Sequence, residues 1–293
     1  MKISKYIPEP AKKAIRRLIK KAKLQSFKRN AETHTLEVLK ADLRKLGLQE
    51  GDVLYTHSSL KSLGHIEGGV ETVICAMMEV VGKEGTLVFP AFTVPISMLD
   101  TLRKKDQVFI PETDPATTGK IPNTFRNFPD VKRSLHATHS VAAWGKHATY
   151  ITDEHYTQPS NFGSETPFAK MLELNVKIVG LGVGFEPVTF YHVFEDFYPE
   201  LFKGVYLDEV FHPKLKIGDK IITAKEYAHN PGYYQRRIDK NPEIENYFRE
   251  HMNKSGKVKN GAVGSSISWW MRGTDFMSEL LVLHKKGKTI YDV

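Results

Sequence analysis

The sequence predicts an α/β protein: a three-layer α/β/α core with a mainly parallel sheet, followed by a C-terminal antiparallel β-rich lid. Three observations carry the prediction. Up to about residue 200, short apolar runs alternate with segments of helical period. Glycines close several of those runs, and beyond residue 200 the runs become alternating and turn-flanked. Strand–helix alternation favours a parallel sheet covered by helices, whereas consecutive turn-flanked runs favour antiparallel strands.

In chain order, THTLEVLKADLRKLGLQEGD reads as a helix closing at Gly47 or Gly51. VLYTHSSL is a strand over Val53 to Thr56 that runs into a polar turn. GGVETVICAMMEVVGKEG is a helix bounded by glycines, and TLVFPAFT a buried strand. Residues 95–133, with Pro111, Pro115, Pro122 and Pro129, form a long ordered loop region. SVAAWG (strand), ETPFAKMLELN (helix), VKIVGLGVG (strand into a Gly-rich turn) and TFYHVFEDFY (helix) continue the alternation. KGVYLDEVFH and KIGDKIITAKEYA then read as antiparallel strands, and PEIENYFREHM as a helix. GKVKNGAVGSSI is a further strand and SWWMRGTDFMSELLVLHKKG a closing helix. The chain thus divides into a front segment (1–30), a core (31–200) and a lid region with its closing helix (201–293).

Composition narrows the class. The 293 residues are 41% hydrophobic and 26% charged, which supplies a sizeable core and excludes disorder, collagen and coiled coil. No run of 18 apolar residues occurs, and the start carries charges where a signal peptide needs an apolar stretch. Cys75 stands alone, at a position expected to face the core, so no internal disulfide forms and a reduced, cytoplasmic protein is expected. Residues 1–30 hold eleven Lys or Arg against Glu9, leaving +10 there and −2 on the remaining 263 residues. After Pro10, the apolar positions Ala11, Ala14, Ile15, Leu18, Ile19 and Ala22 make a helical stripe opposite the cations. Such a helix suits either peripheral membrane contact through residues 10–28 or packing on its own domain or a second copy in a homo-oligomer. Nucleic acid is not an expected partner, because no aromatics interleave the cations.

Polar residues gather at three strand ends, where α/β sheets receive ligands. After VLYT come His57, Ser58 and Ser59, with Leu60 next; their hydroxyls and amides suit a phosphate or a pantetheine amide, or merely cap a turn. HATHSVAAWGKH holds His136, His139 and His147, with Ser140 after the second; no third ligand has metal spacing, so no metal is expected. GLGVGFEPVTFYHVFED places Gly180, Gly182 and Gly184 between a strand and a helix, without the dinucleotide fingerprint. On that helix Thr189, His192 and Glu195 are spaced by three and share a face, so a carboxylate can orient a histidine as a general base.

Together these segments resemble the aminoglycoside 3-N-acetyltransferase family. The matching pieces run from LRKLGLQEGDVLYTHSSLKSLGHIEGGVETVICAMMEVVGKEGTLVFPAFT through DPATTGKIPNTFRNFPDVKRSLHATHSVAAWG to VKIVGLGVG and TFYHVFE, with GAVGSS near residue 261. The resemblance implies an acyl-CoA-binding catalytic core over 31–200 and direct transfer from coenzyme A to an amine, without a metal. It maps the catalytic base to His192, its orienting carboxylate to Glu195 and oxyanion support to Thr189. By the same resemblance His57, Ser58, Ser59, Leu60, Gly182 and Gly184 receive coenzyme A, and His139 and Ser140 face the acceptor.

Two departures bear on that acceptor. Phe185, Pro187 and Val188 occupy a stretch that is polar in resistance enzymes, with Val188 where the family usually has Asn, and Ala137 stands where Pro is usual. With a near-neutral body these point to acylation of the 3-amino group of a nucleotide-linked (dTDP-type) amino sugar for surface polysaccharide synthesis. The alternatives are an aminoglycoside 3-N-acetyltransferase conferring resistance and, from another class, a non-catalytic module that uses the basic tail on membranes or nucleic acid.

Overall fold

The computed structural model describes residues 33–104 and 107–293. The expected basic helix in the front segment lies outside the described residues. The order begins β1 (Thr33–His34), α1 (Leu36–Leu46), β2 (Val53–Ser58), β3 (His65–Ile66), α2 (Val70–Val81), β4 (Thr86–Pro90), α3 (Met98–Leu102), β5 (Val108–Phe109), α4 (Lys120–Phe125), β6 (Lys132–Arg133) and β7 (Val141–Gly145). It continues with α5 (Ala148–Thr152), α6 (Pro167–Glu173), β8 (Lys177–Leu181), α7 (Phe190–Phe197), β9 (Tyr206–Phe211), β10 (Lys214–Ile217), β11 (Lys220–Thr223) and β12 (Glu226–His229). The last elements are α8 (Pro231–Tyr234), α9 (Pro242–Lys254), β13 (Lys259–Val263), β14 (Ser266–Arg272) and α10 (Gly273–Lys285).

Seven strands form the central sheet in the order β13-β14-β8-β2-β4-β7-β6. The pairs β8–β2 and β2–β4 are parallel, while β13–β14, β14–β8, β4–β7 and β7–β6 are antiparallel. The sheet is mixed, which corrects the mainly parallel sheet expected from the sequence. Alternating hydropathy locates strands but does not give the direction in which the chain threads them. β13 and β14 are joined by a tight turn at Gly264 and Ser265, and so short a connection admits only antiparallel neighbours. β7 is reached by the long excursion from residue 91 to 140 rather than by a single crossover helix.

Period-2 alternation along the central strands separates two apolar layers. Val53, Tyr55, Val88 and Ile178 pack with Phe168, Phe190 and Phe276 of α6, α7 and α10. Leu54, Leu87, Phe89 and Val179 pack with Leu39, Leu43, Ile74 and Met77 of α1 and α2. Each such large side chain contributes roughly 1.5–3 kcal/mol when buried. α1 closes at Gly47, whose φ of +98° is the left-handed cap.

Three expectations need adjusting. The segment SWWMR is strand β14, not the start of the closing helix: Trp269 and Met271 enter one apolar layer and Trp270 the other, a period of two. Residues 95–133 contain α3, β5, α4 and β6, elements too short to leave a periodic signal. β5 pairs with β10, which with β11 makes a separate three-stranded sheet, while β9 and β12 form an antiparallel pair. Cys75 is half-buried, because Ile74, Ala76 and Met77 take the inward positions of α2. Among the described residues no helix is long and apolar enough to cross a membrane.

Candidate active site

The site is built where the carboxyl end of β2 meets the start of α7. Tyr55 and His57 share one face of β2 because side chains alternate along a strand. Tyr55 O–H donates to Thr189 Oγ1 at 3.1 Å, and the Thr189 N–H donates to His57 Nε2 at 3.2 Å. Burial raises the Tyr55 phenol and lowers the His57 imidazole to about 3, so the first is a donor and the second a neutral acceptor. Thr189 Oγ1 therefore receives one hydrogen bond and keeps its own hydrogen for the cleft that it lines.

One turn on, His192 Nδ1 lies 2.7 Å from Glu195 Oε2. The other carboxylate oxygen accepts from Tyr291 O–H at 2.7 Å. His229 Nε2 stands 3.5 Å from Glu195 Oε2, an ion-pair distance, and its ring lies 4.6 Å from that of His192. Burial alone would raise the Glu195 carboxyl; the charge and hydrogen bond of His192, reinforced by His229, outweigh it and hold the group at about 2. Glu195 is thus an acceptor at neutral pH, which puts the His192 proton on Nδ1 and leaves Nε2 with a free lone pair. Phe162 stacks on His192 at 5.6 Å and fixes the ring plane.

These groups open into a cleft of about 690 Å³. Thr189, His192 and His139 line it together with Phe92, Arg237 and Tyr291. His192 and Glu195 share one face of α7, as their spacing predicts, with Thr189 at its start. Tyr55, Phe162, His229 and Tyr291 are further members of the site that the sequence reading misses. Tyr55 was within reach, two residues before His57 on the same strand face. His229 and Tyr291 reach Glu195 from 34 and 96 residues away, and no local pattern marks them.

The other candidates divide. Of the acceptor pair, His139 lines the cleft, but Ser140 is buried, donating to Ala91 O at 2.6 Å and accepting from Arg133 Nε at 3.0 Å. Ser140 therefore ties the β6–β7 loop to the residue after β4 and does not line the cleft. His57, Ser58, Ser59, Leu60, Gly182 and Gly184 are not part of the cleft wall. They cluster at the adjacent ends of β2 and β8, where Ser58 pairs with Leu181 and Ser59 N–H donates to Leu181 O at 3.0 Å. In that cluster Ser58 Oγ is buried without a hydrogen-bond partner among the described residues. The nearby glycine Gly180 serves packing: a Cβ there would lie 2.1 Å from Trp269 Nε1, which donates to Val183 O at 2.9 Å. Among the described residues, His192, Glu195 and His229 bring ligand-type atoms within 4.8 Å of one another, but Glu195 is already committed to His192 and Tyr291.

The fold and this site define a mixed α/β protein whose cleft presents a carboxylate-backed imidazole beside a helix-start hydroxyl. Residues 56–281 match the family model for aminoglycoside 3-N-acetyltransferase, and the chain belongs to that family. One curated relative is the SPbeta prophage-derived aminoglycoside N(3')-acetyltransferase-like protein YokD of Bacillus subtilis (strain 168), 34% identical over 178 residues. That alignment covers 55% of this chain and 64% of the relative, so the chain spans less than two thirds of that protein's length. Among solved structures, the apoenzyme of aminoglycoside acetyltransferase AAC(3)-IVa superposes with a TM-score of 0.72 at 24% identity, covering 89% of this chain and 92% of that one. The AAC-IIIb binary complex with CoASH gives 0.70 at 21% identity, covering 87% and 98%. At these identities the two structures share the fold.

Proposed function

We propose that this chain transfers the acetyl group of acetyl-CoA to the 3-amino group of an aminoglycoside-type amino sugar, with His192 as general base. The observation that carries the reading is the Thr189–His192–Glu195 set on one face of α7, opening into the cleft. Acetyl-CoA supplies a thioester, which an amine can attack directly. Glu195 holds His192 with Nε2 free, and His192 takes a proton from the attacking nitrogen and returns it to the departing sulfur. Such a base contributes about 10²–10⁴ in rate. Thr189, its oxygen already supplied by Tyr55, donates its hydrogen to the carbonyl oxygen as negative charge develops there. The unpartnered Ser58 Oγ supports a coenzyme A contact beside the Gly182 turn. Family membership and the CoASH complex of AAC-IIIb support the donor, and the family's description supports the acceptor.

A second reading keeps the same chemistry on a nucleotide-linked 3-amino sugar. It is favoured by the cleft wall, where Tyr233, Tyr234 and Tyr291 present rings and Asp239 is already tied to Arg237 at 2.6 Å. Against it, Asp100 and Glu186 stand on the same wall as carboxylates able to attract a polycation, which favours the first reading.

Thiol release from acetyl-CoA, followed with a thiol-reactive dye, tests both readings. Release with gentamicin supports the first. Release only with a dTDP-linked 3-amino-3,6-dideoxyhexose replaces it with the second, and silence with both removes both. In the active pairing, His192→Asn should fold normally and lose at least about a hundredfold in turnover; near-normal turnover would mean that another group is the base.

A further inference from the structure

The cleft holds two imidazoles with the same protonic arrangement, and the acetyl-transfer reading uses only one. His139 sits in the loop between β6 and β7 and lines the same cleft as His192. Phe162 touches both rings, with centroids 4.9 Å from His139 and 5.6 Å from His192. Behind His139 lies a chain of buried groups. His139 Nδ1 is 2.8 Å from Thr138 Oγ1, and Thr138 O–H donates to Glu226 Oε2 at 2.8 Å. A hydroxyl whose hydrogen goes to a carboxylate has only its lone pairs to offer the ring. His139 Nδ1 must therefore carry the hydrogen, and Nε2 is the acceptor on a ring that faces the cleft. His192 shows the same pattern with its carboxylate bonded directly, whereas His139 reaches its carboxylate through a hydroxyl.

The chain is built, not incidental. Glu226 comes from β12 and also accepts the Ala137 N–H at 2.8 Å, while His139 N–H donates to His136 Nδ1 at 3.0 Å. Glu226 is 1% exposed and Thr138 fully buried. A structural clamp on this loop would need only the backbone bond; it would not need a hydroxyl threaded between a carboxylate and an imidazole that ends at the cleft.

We propose that His139 is a second proton acceptor, which takes from an ammonium substrate the proton it must lose before it can attack. The proposal rests on the acetyl-transfer reading and supplies what that reading lacks. An amine arriving protonated sheds two protons on becoming an amide, and His192 can recycle only one of them to sulfur. In the first step the ammonium N–H bond breaks and an N–H bond forms at His139 Nε2. The Nδ1 hydrogen moves to Thr138 Oγ1 as the Thr138 hydrogen moves to Glu226 Oε2. The ring stays neutral throughout, Thr138 is regenerated, and Glu226 holds the proton. In the second step the free amine bonds to the thioester carbon, His192 takes the remaining proton, and the C–S bond breaks to a thiol protonated by His192. Afterwards Glu226 returns its proton along the same chain to water in the cleft.

The surroundings suit a relay through a neutral ring. Burial first, then His229 and His192 from β12 and α7, His155, and Arg237 beyond α8 disfavour a positive charge on His139, while His136 Nδ1 faces Glu226 Oε1 at 3.1 Å. Burial raises the Glu226 carboxyl to about 7, so the end of the chain can both take and release a proton near neutrality.

The test compares full-length wild type with His139→Gln, Thr138→Val and Thr138→Ser, using an accepted amino sugar and its alkoxyamine analogue, whose nitrogen is unprotonated at pH 7. For the amine at pH 7, His139→Gln and Thr138→Val should lose at least about tenfold in kcat/KM, the lower part of the general acid–base range. That loss should shrink about tenfold per pH unit toward the amine's own pKa. Thr138→Ser should retain wild-type behaviour, and for the alkoxyamine neither His139→Gln nor Thr138→Val should show a loss that grows as pH falls. A loss with the amine that is the same at every pH, or a pH-dependent loss shared by the alkoxyamine, overturns the proposal in favour of a packing role. The tautomer is read separately by nitrogen-15 spectroscopy of the wild-type protein: a hydrogen on Nε2 with Nδ1 bare overturns the relay whatever the activity. His192→Asn should lose turnover at all pH values, so failure of the acetyl-transfer reading shows in that variant and not in the His139 tautomer.

Discussion

Replacing Glu195 by Gln measures how much of His192's competence comes from its buried partner. Glu195 is 2% exposed, so no solvent compensates for the lost charge. Its carboxyl is held at about 2 against an ordinary 4.5 despite burial that pushes the other way. At 1.36 kcal/mol per tenfold, this is on the order of 3 kcal/mol of preference for carboxylate beside the imidazoles. The carboxylate, 2.7 Å from Nδ1, in turn stabilises positive charge as it develops on the His192 ring during proton transfer. The amide removes the charge while keeping the shape. It can still accept from His192 and turn its NH₂ toward Tyr291, whose oxygen can accept, so collapse is not expected. Turnover should fall about a hundredfold, the equivalent of about 3 kcal/mol, with the acetyl-CoA KM nearly unchanged because uniform binding is untouched. The assay is initial-rate thiol release, with far-ultraviolet circular dichroism to establish folding. A folded Glu195→Gln variant that keeps a third or more of wild-type turnover would refute the idea that this carboxylate stabilises the transition state.

Thr189→Val keeps the volume and the backbone bond to His57 but removes the hydrogen aimed at the cleft; turnover should fall about 10²–10³-fold, and an unaffected rate would exclude Thr189 as an oxyanion donor. Gly180→Ala puts a methyl 2.1 Å from Trp269 Nε1, so the indole must move and lose Val183 O; urea denaturation should show a loss at or above the upper end of about 1–3 kcal/mol. Glu226, raised to about 7 by burial, favours its protonated folded form. That contribution is complete below the usual 4.5 and disappears as pH rises through about 7, so wild type should lose about 3 kcal/mol between pH 4 and 8 that Glu226→Gln does not lose. Parallel Tm profiles for the two proteins would show that Glu226 does not titrate in the fold.

What could be read in the chain follows from the range of the physics involved. His192 and Glu195 are three residues apart on one helix, so spacing alone sets them face to face, and Thr189 precedes them by the same interval. Strand and helix periods are equally local, which is why Val53–Ser58, Val70–Val81 and Lys177–Leu181 stand close to where the hydropathy puts them. Strand direction and the closing of the site are not local. Glu195 needs Tyr291 from 96 residues away, and Thr138 needs Glu226 from 88, each a single pair with no repeat to reveal it. The glycines mislead for a related reason. A Gly-rich strand end looks like room for a ligand, but the space above Gly180 is filled by Trp269 from a strand that the sequence pattern makes look like a helix. Misassigning SWWMR therefore also misassigns Gly180: once β14 is placed antiparallel to β8, Trp269 lies opposite Gly180 in register, and the glycine follows from packing.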